Sequence, residues 1–198
     1  MIHQLSMEIL EKLQIKKQVT EREYLYVAYF VESWLLDLSK TLLVYGVAFF
    51  VGCVSETFFM HLAYVIVRRS AGGWHAATSI HCSLFSISCF VGIPFLIKMF
   101  QLSLIKGFYF PVSLVIFVIT FLYAPADTEK NPLLDVADRK KKRVASVVKV
   151  CVLLLITSQL PATIQLLTFA GLLVECLMIA PFIYNLTKEG YRNYERYE

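Results

Sequence analysis

The chain has 198 residues, 58% of them apolar and 17% charged, with a mean hydropathy of +0.63, whereas soluble domains carry roughly 25% charged residues. A soluble fold of this size cannot hide that much apolar surface. The net charge of +4 comes from basic residues set beside apolar runs, not from an aromatic-interleaved basic stripe, and this excludes a nucleic-acid-binding class.

Lipid offers backbone N–H and C=O groups no partners, so crossing segments must be helices or a closed barrel, and long unbroken apolar runs select helices. The first segment, MIHQLSMEILEKLQIKK, sets its charges inside an amphipathic pattern. It lacks the apolar stretch and small-residue cleavage site of a secretory signal, so it is expected to stay on the mature protein. In residues 24–40, Ser33, Asp37 and Lys40 fall at i, i+4 and i+7, the polar face of an amphipathic helix lying in the membrane plane.

A spanning helix needs about 20 apolar residues, and five runs approach that length: 41–67, 78–100, 107–124, 144–159 and 162–184. Glu56 and His61 interrupt the first, and Glu175 is the single charge in the last. The expectation is an all-α polytopic integral membrane protein with five to six hydrophobic helices and an N-terminal amphipathic helix. Without a repeat or a linker, residues 1–198 read as one domain. Either residues 24–40 cross as well, or residues 41–67 dip in and out as a helical hairpin bent between Gly52 and Ser55.

Orientation follows the lysines and arginines of short loops. Lys130, Arg139, Lys140, Lys141, Lys142 and Arg143 stand against Lys98 and Lys106 in the preceding loop, which makes the former loop cytoplasmic. Counting spans then puts residues 68–77 and the tail with Lys188, Arg192 and Arg196 on the same side. One crossing ahead of Arg68 would leave Lys12, Lys16 and Lys17 outside, against the rule.

Polarity is anomalous in the string Arg68-Arg69-Ser70-Ala71-Gly72-Gly73-Trp74-His75-Ala76-Ala77-Thr78-Ser79-Ile80-His81-Cys82. Gly72 and Gly73 can break the preceding helix by taking positive φ, and Thr78 or Ser79 suits an N-cap. His75 then lies on a loop and Cys82 in the first turn of the next helix. In an unbroken helix the two would be separated by roughly 10 Å of rise; a loop folded back over a helix N-terminus can close that gap. A helix N-terminus and a nearby imidazolium both favour thiolate over thiol, so Cys82 is the candidate nucleophile and His75 its base.

A metal site built from His75, His81 and Cys82 matches no usual zinc spacing, and His81 is expected to point away as an interfacial polar residue; no metal or other cofactor is expected. The cysteines, Cys53, Cys82, Cys89, Cys151 and Cys176, are scattered, mostly deep in apolar runs where they act as small hydrophobes, so no disulfide framework is expected. Glu56, Asp127 and Glu129 are candidates to orient His75, and a plain Cys-His dyad is the default.

The string resembles the accessory gene regulator protein B family of bacterial quorum-sensing systems, in its Arg-Arg, its Gly-x-His-Ala and its Cys seven residues after the His. A second stretch, Tyr123-Ala124-Pro125-Ala126-Asp127-Thr128-Glu129-Lys130-Asn131-Pro132 followed by the basic run, resembles the family's second signature. The likeness covers residues 20–187. It implies a membrane-embedded cysteine endopeptidase that cuts the C-terminal part off a small propeptide and helps convert the rest into a cyclic thiolactone or lactone. The implied catalytic pair is His75 and Cys82, with Arg68, Gly73 and Lys130 as supporting or substrate-binding positions. Some relatives carry a run of lysines where this chain has Glu129-Lys130-Asn131, and Lys130 alone carries over.

The implied partners are a propeptide with an amphipathic leader, membrane lipids and a second copy of the chain in a homodimer, with no nucleic acid. The implied place is the cell membrane, with the catalytic residues on the cytoplasmic side. The rival from another class is a small transporter or pheromone exporter with Glu56, His61 and Glu175 in its path.

Overall fold

The computed structural model describes residues 2–76, 78–129 and 132–196. They are helical, with no strand among them. Met1–Gly46 and Val47–Glu198 form separate compact units.

The first unit holds α1, Ile2–Lys12, and most of α2, Glu21–Val51. Thr20 starts α2 with a reciprocal cap: its hydroxyl accepts from the Glu23 N–H at 3.4 Å, and the Glu23 carboxylate accepts from the Thr20 N–H at 2.9 Å. This capping box satisfies two of the donors that a helix start leaves without partners. His3 Nδ1 pairs with Glu32 at 2.9 Å.

Helix α2 revises the expected boundaries. Residues 24–40 do not form a separate in-plane helix; they continue unbroken into Val51, giving 31 residues and about 46 Å of rise. Of it, Glu23–Val51 is long and apolar enough to cross a bilayer. The run 41–67 is instead divided at Gly52 (φ 75°) and Cys53, within the interval expected to bend.

The second unit is built around α3, Val54–Ala71. Next comes a continuous rod: α4, Ser79–Ile87, a π-helical turn at Ser88–Gly92, and α5, Ile93–Met99. Then follow α6, Tyr109–Tyr123; α7, Val136–Thr157; α8, Ala162–Ile179; and α9, Pro181–Thr187. Ser79–Met99, Lys106–Tyr123 and Ala162–Ile179 are, like Glu23–Val51, long and apolar enough to span, which makes the chain a polytopic membrane protein. Helix α7 starts before the expected run and takes in all five basic residues from Arg139 to Arg143; Asp135 caps it through the Ala137 N–H at 2.8 Å. Pro181, which cannot continue the ladder of α8, sets the break that ends it short of Tyr184.

The core lies where α3, α6, α7 and α8 meet, around Ala63, Val67, Ile116, Val150, Phe169 and Leu172. Helices α3 and α8 approach closely at Gly171. A Cβ there would strike the Met60 carbonyl and meet the Ala63 methyl at 3.4 Å, the close backbone approach that small residues permit between membrane helices. The exposed faces of the spans carry large apolar side chains such as Phe50, Ile80, Phe110 and Leu173, surface suited to lipid.

Candidate active site

Two glycines end α3. Gly72 (φ 67°) and Gly73 (φ 117°) both have positive φ, a region that L side chains rarely adopt. Space forbids side chains as well: a Cβ on Gly72 would collide with the Ala126 carbonyl, and one on Gly73 with the Arg68 guanidinium and, at 2.8 Å, the Met178 carbonyl oxygen.

The turn is held from two sides by backbone. The Gly73 N–H donates to the Ala126 carbonyl at 2.9 Å, and the Ala126 N–H donates to that of Ala71 at 2.8 Å, a parallel bridge between Gly72 and Ala126. Ala126 belongs to the loop after α6, which contains the cis bond Ala124–Pro125. The Trp74 N–H donates to the Met178 carbonyl, at the end of α8, at 2.8 Å.

Arg68, one turn back in α3, holds the same segment through its side chain. Its guanidinium donates to the carbonyl oxygens of Gly72 at 2.5 Å, Gly73 at 3.1 Å and Trp74 at 2.7 Å. A planar fork with several fixed donors can bridge three carbonyls in this way; a lysine ammonium on its flexible stem cannot. The charge is balanced by Glu175 of α8, whose Oε2 lies 3.7 Å from Nη1; the two side chains are 13% and 2% exposed. A buried charge needs such a counterion. The Tyr64 ring lies 5.8 Å below the guanidinium.

His75 follows at once, exposed on a segment outside any helix. Thr78 caps α4, accepting from the His81 N–H at 3.3 Å, and its hydroxyl lies 2.8 Å from His81 Nδ1. The exposed His81 ring is thus engaged at the cap. Cys82 is half-buried in the first turn, where its N–H donates to the Thr78 carbonyl at 3.1 Å. The Trp74 ring meets Phe85 edge-on at 6.2 Å between centroids. Trp74 precedes His75 and Phe85 lies one turn beyond Cys82, so this contact ties the histidine's loop to the cysteine's helix.

The other expected residues are dispersed. Lys130 lies outside the described residues. Glu56 pairs with Lys98 at 3.4 Å, twelve residues before Arg68 in α3, roughly 18 Å of rise away. His61 stacks on Tyr64, with ring centroids 6.4 Å apart, and meets Phe90 at a tilt at 5.0 Å. Asp127 is buried, its carboxylate accepting from the backbone N–H groups of Leu133, Asn193 and Tyr194. Of the basic run, Arg143 donates to the Phe121 carbonyl at 2.8 Å and Lys142 pairs with Asp138 at 2.9 Å.

Sequence reasoning did not foresee that Glu175 would answer Arg68, nor that the Met178 carbonyl would hold Trp74. The first had a signal: an acid inside an apolar run implies a buried cation facing it. The second is a backbone contact and had none.

The family model for accessory gene regulator B matches residues 3–179. The chain is 34% identical to a putative AgrB-like protein of Listeria innocua over 181 residues, 90% of this chain and 87% of that protein. It is 35% identical to a putative AgrB-like protein of Listeria monocytogenes serotype 4b over the same shares. With the accessory gene regulator protein B of Staphylococcus haemolyticus it shares 31% identity over 172 residues, 87% of this chain and 90% of that one. No solved structure matches it. The match runs from α1 to the end of α8, through the glycine turn and the loop that pairs with it, and the chain belongs to the accessory gene regulator B family.

Proposed function

We propose that the chain is a membrane-embedded cysteine endopeptidase that removes the C-terminal part of a small quorum-sensing propeptide. Family membership gives it a part in the accessory gene regulator quorum-sensing system; the peptidase chemistry is the finer reading. The observation that carries it is the rigid turn ahead of His75, with Arg68 on three successive carbonyls and Trp74 against Phe85, one turn past Cys82. That much fixed structure around one exposed histidine beside a capped helix start suits a pair that must meet in a defined geometry.

In this reading the Cys82 thiolate attacks the scissile carbonyl carbon. The C–N bond breaks, His75 gives the leaving amine its proton, and the propeptide's N-terminal part remains on Cys82 as an acyl thioester. A cysteine or serine within that part then attacks the thioester carbonyl, closes the ring and releases the Cys82 thiol, which preserves acyl activation that hydrolysis would waste. The lysine and arginine distribution supports a cytoplasmic site, and an amphipathic propeptide leader would be concentrated at the membrane surface beside it.

The test uses purified chain in lipid nanodiscs with the propeptide, read by mass spectrometry. Wild type should release the C-terminal fragment and Cys82→Ala and His75→Ala should not, while an acyl adduct should map to Cys82. Full cleavage by both variants would remove the dyad and leave the transport reading in front.

A further inference from the structure

The C-terminal residues reach back to the loop after α6. Asp127, 3% exposed, has its carboxylate turned toward the tail. Oδ1 accepts from the Asn193 backbone N–H at 2.9 Å and the Asn193 side-chain amide at 3.4 Å; Oδ2 accepts from the Tyr194 N–H at 3.1 Å and the Leu133 N–H at 3.3 Å. The Asn193 amide also donates to the Gly190 carbonyl at 2.8 Å, which shapes the tail for this fit. From α9, the Tyr184 hydroxyl donates to the Asp127 carbonyl at 3.0 Å. The Arg139 guanidinium lies 4.0 Å over the Tyr194 ring and donates to the Leu133 carbonyl at 3.0 Å.

Asp127 directly follows Ala126, the residue whose N–H and carbonyl grip Ala71 and Gly73. One residue thus joins the carboxylate that holds the tail to the backbone that holds the turn before His75. Hydrogen bonds from N–H groups to an ionised acceptor are roughly twice as strong as neutral ones, and here several converge on one buried group. The tail also lies past residue 179, where the family match ends.

We propose that Asp127, Asn193 and Tyr194 form a latch that positions the His75 turn through Ala126. The three are positioning residues, and the inference rests on the peptidase reading above. Removing the tail leaves α3 to α8 covalently intact but frees the loop, so Ala126 no longer fixes Gly72 and Gly73, and His75 loses its placement relative to Cys82.

The experiment compares wild type, Asn193→Ala, a chain ending at Gly190, and Glu195→Gln, an exposed tail change, in nanodiscs. Propeptide cleavage is followed against substrate concentration and pH, and amide hydrogen exchange is followed at residues 72–76. Asn193→Ala and the shortened chain should lose kcat by roughly tenfold or more with KM unmoved and the pH–rate profile displaced. Exchange at Gly73 and Trp74 should quicken, and Glu195→Gln should match wild type. A peptide of residues 191–198 added to the shortened chain should restore part of kcat. Unchanged kcat and unchanged exchange would overturn the latch, as would a loss that only tracks the unfolded fraction. Cys82→Ala is run in parallel: were it to cleave normally, the peptidase reading would fall, and the exchange data alone would decide the latch.

Discussion

Glu175→Gln removes one charge from the floor of the site and almost no volume. The carboxylate oxygen lies 3.7 Å from the Arg68 guanidinium, with the two side chains 2% and 13% exposed. At an effective dielectric constant of about 20, two unit charges at that separation attract by roughly 4 kcal/mol. Stranding one partner of a buried pair costs about 3–5 kcal/mol. For a chain of this size each kcal/mol moves Tm by about 2–4 °C, so a fall of roughly 6–20 °C is expected in nanodiscs, read by tryptophan fluorescence. Arg68→Gln should cost as much or more, since the carbonyls of Gly72, Gly73 and Trp74 then lose their donor. The double variant should lose less than the sum of the singles, with a coupling of at least about 2 kcal/mol. Additive losses, or a Glu175→Gln Tm within about 2 °C of wild type, would mean that the carboxyl is protonated beside Arg68 and that no ion pair supports the turn.

Gly73→Ala puts a methyl against the Met178 carbonyl at φ 117° and should cost about 1–3 kcal/mol. It should also cut propeptide cleavage more steeply than the fall in folded protein accounts for; wild-type cleavage would refute the tight fit of the turn. Gly171→Leu, where α8 meets the Met60 carbonyl of α3, should lower Tm by at least as much while leaving the residual folded enzyme with wild-type KM. Lys142→Ala breaks a half-exposed pair with Asp138 within α7 and should change Tm by no more than about 4 °C, since such pairs contribute roughly 0–1 kcal/mol; cleavage should be unaltered if the basic run serves orientation rather than the substrate.

The helical membrane architecture was legible in the sequence because hydropathy over about 20 residues is a local property. The breaks were legible where a residue dictates its own backbone, as at Gly72, Gly73 and the Thr78 cap. The extent of α2 was not: the polar face formed by Ser33, Asp37 and Lys40 suggested an in-plane helix, yet i, i+4 spacing is equally compatible with a helix that runs on to Val51. The extent of α7 was hidden by its own charges, since hydropathy cannot see helical turns made of Arg139, Lys140, Lys141, Lys142 and Arg143, whereas the Asp135 cap could have announced them.

The surroundings of His75 illustrate why a short motif both finds a site and fails to describe it. Arg68 and Gly73 are close in the chain to His75, so their roles follow from local spacing. What holds them comes from far away: Glu175 and Met178 from α8, Ala126 from the loop after α6. Two of those three contacts are made by backbone carbonyls and amides, which any residue supplies, and so leave no mark in the sequence. The third is a charge in an apolar helix, and it does leave one. Residues that act through their side chains in a low-dielectric setting are therefore the ones a reader of sequence can hope to find, and a substitution at Glu175 should disturb the turn more than a substitution of the Met178 side chain, whose contribution to holding Trp74 is its carbonyl alone.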